Sequence, residues 1–205
     1  MQHCCINLLL LSKTNTVMFK NNKYFTLFLF ALVGTLTITS CGDDDPEPPM
    51  EEELITTLNY TLTSSSGNTF TVSFLDLDGD GGMDATIGTA TLEANETYTG
   101  SIELLNESED PAEDITEEIM EEDDVHQFFF ESSVAGLSVS YSDADDDGNP
   151  LGLANTLTTG DPGSGTLTVT LRHEPDKNAD GVSGGNIANA GGSTDIEVPF
   201  PVNVQ

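Results

Sequence analysis

Tryptophan is absent from the 205 residues, and 4 tyrosines and 10 phenylalanines are the whole aromatic complement. That leaves almost no platform for stacking on sugar rings. Basic residues are equally scarce, with 5 Lys and Arg against 36 Asp and Glu and a formal net charge of -31. The field of such a chain repels polyanions, so nucleic-acid binding is excluded. The three cysteines, Cys4, Cys5 and Cys41, all lie near the amino terminus, so the rest of the chain has no thiol for a disulfide framework or a cysteine nucleophile. A hydrophobic content of 37% still suffices for a core, and the chain is not simply a disordered acidic polymer.

What is present begins with Lys20 and Lys23, the apolar run Phe25 to Leu36, and Ile38-Thr39-Ser40 directly before Cys41. Charged, apolar and small-residue regions in that order are a secretory signal peptide, and the run is shorter than the roughly 20 residues of a membrane-spanning helix. Met18 is an alternative start, because Met18 to Cys41 already forms a complete signal. Ile38-Thr39-Ser40-Cys41 resembles the lipobox of bacterial lipoproteins, which implies cleavage before Cys41 and lipidation of its thiol. Acyl chains at about 0.8 kcal/mol per buried methylene make such an anchor effectively permanent. Residues 1–40 are thus expected to be signal, and 41–53, with Asp43 to Asp45, Pro46, Pro48 and Pro49, an extended acidic tether. Cleavage removes Lys13, Lys20 and Lys23, leaving Arg172 and Lys177 as the cations of a chain with a charge of -34.

From Leu54 to Gln205 the dominant period is two, with apolar residues alternating against Thr, Ser and Asn. Strands with one buried face read this way. About nine short strands are expected: Leu58 to Leu62, Phe70 to Phe74, Ile87 to Leu92, Tyr98 to Leu104, Gln127 to Phe130, Leu137 to Tyr141, Leu153 to Leu157, Leu167 to Leu171 and Ile196 to Val204. Pro199 and Pro201 make the last an expected edge strand, since proline cannot donate to a ladder. Asp110-Pro111-Ala112-Glu113 carries the signature of a helix start, and Ile115 and Ile119 give the short acidic helix its apolar face. The expected fold class is all-β, an immunoglobulin-like antiparallel sandwich.

Three loops alternate carboxylates or amides and close on glycine: Asp76, Asp78 and Asp80; Asp143, Asp145 and Asp147; Asp176, Asn178 and Asp180. This is the first half of a calcium loop. Its second half is missing, because Ile87, Ala154 and Ile187 stand where the bidentate Glu belongs. Calcium is therefore an expectation that needs further ligands, set against three hydrated Asp-Gly turns. If consecutive strands alternate in direction, all three loops and the helix gather at the pole where the chain enters the domain. His126 and His173 each adjoin a strand, and a transition metal shared between them is the alternative metal site. No nucleophile and base stand in a supporting order and no phosphate loop is present, so an enzyme is not expected.

The segments Cys41-Gly42-Asp43-Asp44-Asp45, Leu75-Asp76-Leu77-Asp78-Gly79-Asp80-Gly81-Gly82, Pro111-Ala112-Glu113-Asp114-Ile115 and Leu171-Arg172-His173-Glu174-Pro175, in this order, resemble a group of small acidic flavobacterial surface lipoproteins. Such chains are often labelled "type 1 periplasmic binding fold superfamily", and no biochemical function comes with the label. The resemblance implies lipid anchorage in the outer membrane with exposure at the cell surface. The expected role is a non-catalytic binding or accessory module, stabilised by calcium and serving an outer-membrane uptake receptor. Capture of a transition metal or metallophore for that receptor is the alternative.

Overall fold

The computed structural model describes residues 54–79 and 82–205. The expected signal and tether, Cys41 as the expected lipidation site, and the loop residue Asp80 lie outside these. The chain forms β1 (Thr57–Ser64), β2 (Thr69–Leu75), β3 (Thr86–Ile87), β4 (Ala90–Leu92), β5 (Thr97–Asn106), β6 (Glu113–Asp114), α1 (Ile115–Glu121), β7 (His126–Ser132), β8 (Ser138–Tyr141), β9 (Ala154–Thr158), β10 (Gly163–His173) and β11 (Ser193–Val204). One sheet runs β3-β2-β1-β5-β9-β8, with β6 added to β5, and the other runs β4-β11-β10-β7. The fold is all-β and sandwich-like.

Alternation explains both layers. On β1, Leu58, Tyr60 and Leu62 are buried while Asn59, Thr61 and Thr63 form the outer face. They share one core with Val72, Ile102, Leu104 and Leu157 of their own sheet and with Phe128, Val169, Leu171, Val198 and Phe200 of the other. Each such Leu, Val or Phe contributes about 1.5–3 kcal/mol on burial. Tyr60 joins the core only because its hydroxyl donates to Asn155 Oδ1 at 2.7 Å, sparing a buried polar group the cost of standing unpaired.

Four expectations need correction. The run Ile87 to Leu92 is not one strand: β3 pairs with β2, whereas β4 pairs with β11, so the chain changes sheets at Gly88 and Thr89. The β4–β11 pair is parallel, the one departure from the antiparallel scheme among the described pairs. The helix begins not at Pro111 but at Ile115, because the Asp114 side chain, not that of Asp110, accepts the Thr116 N–H. Glu113 and Asp114 pair with the end of β5 first. The expected edge strand, β11, instead lies inside its sheet between β4 and β10, with one side left uncovered by β4 where its prolines lie. Its partner β4 joins only at Val202, past Pro199 and Pro201, which have no N–H to offer a further strand.

The acidic loops do gather at one pole. Asp76 N–H donates to the Thr56 carbonyl, at the start of β1, and Thr56 N–H to the Leu105 carbonyl, at the end of β5. Lys177 then ties together the loop after β10, the turn after α1 and the loop after β8, by donating to the Asp123 carbonyl and to Asp145. No helix among the described residues is long and apolar enough to cross a membrane.

Candidate metal centre

At this pole His126 opens β7 and His173 closes β10, and the two are direct cross-strand neighbours. Both fall on the inward phase of their strands, in step with Phe128 and Leu171. Their rings stack with centroids 4.7 Å apart and planes 26° from parallel. The third member is Asp195. The ladder between β10 and β11 pairs Leu171 with Ile196 but Arg172 with Thr194, so Asp195 is the extra residue of a β-bulge. Bulges re-aim side chains that strict alternation would send outward. Here the carboxylate is fully buried, with Oδ2 3.8 Å from His126 Nε2 and Oδ1 4.0 Å from His173 Nδ1.

Local chemistry fixes which atoms face the centre. His126 Nδ1 lies 3.0 Å from the Glu122 carbonyl oxygen. A carbonyl can only accept, so Nδ1 is the donor in this contact, and the Nε2 edge of the ring faces Asp195. A backbone carbonyl behind a histidine is the usual device for orienting a metal-binding ring. His173 is 91% buried as a side chain, with 9% relative exposure, and its Nδ1 has no hydrogen-bond partner among the described residues. The three side chains offer one donor atom each within 4.8 Å of one another, and among the described residues they are the one such group of three.

Two imidazole nitrogens and one carboxylate oxygen suit zinc and its first-row neighbours rather than calcium, which takes oxygen. A closed tetrahedral site with bonds of about 2.0–2.1 Å has donors about 3.3–3.4 Å apart. The separations of 3.8 and 4.0 Å, within a group whose donor atoms lie up to 4.8 Å apart, are therefore wider than those of a closed site. Three protein ligands leave one position for water or an incoming donor.

The scaffold beneath is tied on both sides. Glu174 N–H donates to the Val125 carbonyl, next to His126. Arg172 holds the carbonyls of Gly191 and Gly192 and the Thr194 hydroxyl. Gly192 has a φ of +68°, and a Cβ there would lie 2.1 Å from the His173 carbonyl. Only glycine lets the hairpin close so tightly against the ligand.

The Asp loops use their carboxylates differently. Asp76 Oδ1 accepts Gly79 N–H, and Asp78 Oδ2 accepts Met83 N–H. Asp143 accepts Gly152 and Ala154 N–H at 2.7 Å each, and Asp176 Oδ1 accepts Asn178 N–H. Asp145 Oδ1 accepts Asp147 and Asn149 N–H, while Oδ2 lies 3.0 Å from Lys177 Nζ. Burial opposes ionisation of Asp145, but Lys177 and the two amides outweigh it and hold the carboxyl below its usual range. Asp147, Asn178 and Asp180 are exposed. The alternate-Asp spacing thus closes turns, with backbone amides donating to the carboxylates of Asp76, Asp78, Asp143, Asp145 and Asp176.

Sequence reasoning singled out both histidines but missed Asp195. A carboxylate one residue before the inward Ile196 reads as solvent-facing, and nothing in the local pattern announces a bulge. Comparison of the chain with protein-family models, curated proteins and solved structures gives no match in any of the three.

Proposed function

We propose that the protein is a surface lipoprotein that binds a divalent transition-metal ion, zinc being the best fit, through His126 Nε2, His173 Nδ1 and the Asp195 carboxylate. The convergence of these three buried donors carries the reading. Each offers one donor atom within 4.8 Å of the others, two imidazole nitrogens and one carboxylate oxygen, the mixed donor set that zinc and its neighbours accept. Burial of the ligands suits holding an ion rather than presenting it to an organic substrate, so the role is binding, not catalysis. Lipid on Cys41 would keep the domain at the outer-membrane surface, where a bound ion is available to an uptake receptor.

Isothermal titration of the mature chain with zinc and with calcium tests this. One zinc per chain is expected, weakened by about tenfold or more in Asp195→Asn and in His173→Ala, with circular dichroism confirming that both variants fold. Zinc heats unchanged in both folded variants, or absent from the wild type, would overturn the reading. The location has its own arm: mass spectrometry should find Cys41 as a lipidated amino terminus, and an unmodified Cys41 within a longer chain would refute it.

A further inference from the structure

We infer that the ion is exchangeable cargo and that it enters and leaves through the cleft between the two sheets. This rests on the metal-binding reading above. Over Asp195 to Pro201 the outer edge of β11 has no β4 alongside, and the gap between the layers widens into a cavity of about 570 Å³. Ile55, Phe74, Asp76 and Ala85 line one side and Asp195 and Glu197 the other. Asp195 belongs to both cavity and metal centre. Its side chain is fully buried while the residue as a whole is partly exposed, so its backbone forms the cavity wall and its carboxylate lies behind.

Three features make this wall a gate rather than a seal. The bulge releases Asp195 from the regular ladder, which makes it the ligand whose position the sheet constrains least. The open spacing of the donors and the vacant fourth position admit an incoming ligand, the route by which a metal transfers without first dissociating into water. Asp76 and Glu197 at the mouth supply negative potential that raises the local cation concentration and its arrival rate. The core, meanwhile, is complete without the ion: Phe128, Leu171 and Ile196 pack against the opposite sheet directly beside the centre. A structural metal replaces a missing core, as in small zinc domains, and nothing is missing here.

Stopped-flow mixing of the mature chain with zinc, and of the zinc-loaded chain with a chromogenic chelator, separates the possibilities. Ala85→Trp, which fills the cavity from the wall opposite Asp195 without replacing a ligand, should slow uptake and release alike by about tenfold while leaving the zinc dissociation constant unchanged. Glu197→Gln should slow uptake at low salt only, a readout that survives if the Trp variant fails to fold. Unchanged rates in Ala85→Trp would place the route past the exposed edge of His173 and overturn the inference. So would loss of near-ultraviolet circular dichroism on removing the metal, because the ion would then be structural. Absence of zinc binding in the wild type would instead overturn the metal-binding reading itself.

Discussion

Replacing Lys177 by methionine should destabilise the domain by about 3–5 kcal/mol, the cost of leaving one charge of a buried pair uncompensated. The side chains of Lys177 and Asp145 are 3% and 2% exposed, with Nζ and Oδ2 3.0 Å apart. At an effective dielectric constant near 20, this separation corresponds to an attraction of about 5 kcal/mol. Methionine keeps the aliphatic stem but removes both the ion pair and the bond to the Asp123 carbonyl. Asp145 then retains only the amides of Asp147 and Asn149. The double variant Asp145→Asn, Lys177→Met should be much less damaged, because an asparagine oxygen can still accept those amides while no net charge stays buried. Urea unfolding of the four proteins gives the coupling energy, expected at several kcal/mol, and the single Lys177 variant should melt roughly 6–20 °C lower. A loss below about 1 kcal/mol, the range of exposed pairs, or strict additivity of the two substitutions would refute the reasoning.

Tyr60 gives the fold an alkaline limit. Burial pushes its phenol well above the ordinary value, against the smaller opposing effect of the Asn155 hydrogen bond. The neutral form is the one the fold accepts, so its contribution is complete below the unfolded value of about 10 and is lost as pH rises beyond it. Tyr60→Phe should cost about 1–3 kcal/mol at neutral pH, because Asn155 Oδ1 loses its donor, and should flatten the fall in urea midpoint between neutral pH and pH 11; an unchanged slope would sink the argument. Gly100 faces the same pair, and a Cβ there would lie 2.2 Å from Asn155 Oδ1 and 2.9 Å from Tyr60 Cε2. Gly100→Ala should therefore destabilise by about 1–3 kcal/mol despite the usual gain from replacing glycine, and a rise in melting temperature would show that the pair can yield.

The strands were legible because each has one dry face, and a period of two survives any choice of topology. What local pattern could not supply was partnership. Ile87 to Leu92 reads as one strand, since its alternation does not reveal that its two ends belong to different sheets. Asp110-Pro111 and Asp114-Ile115 offer rival helix starts, and the choice was made by β5, whose end captures Glu113 and Asp114 before the helix can begin. The candidate metal centre shows the same division. Two histidines beside strands are visible in the sequence, but their adjacency depends on the register of β7 against β10, across 46 intervening residues. Asp195 depends on a bulge, which breaks the very alternation used to read its strand.

The charge distribution adds a reason for placing the centre here. Among the described residues Arg172 and Lys177 are the only Lys or Arg, and both are consumed by the loop that leaves His173: Arg172 on the carbonyls of Gly191 and Gly192, Lys177 on Asp123 and Asp145. They fix the hairpin from either side of His173. The surrounding carboxylates concentrate every cation alike, by Coulomb attraction that salt screens within about 8–10 Å. On the proposed metal-binding reading discrimination comes at short range, from the two imidazoles, because calcium and magnesium prefer oxygen donors whereas zinc and its neighbours accept nitrogen. On that reading, a chain whose field collects cations without distinction would keep at this pole the ones that nitrogen binds.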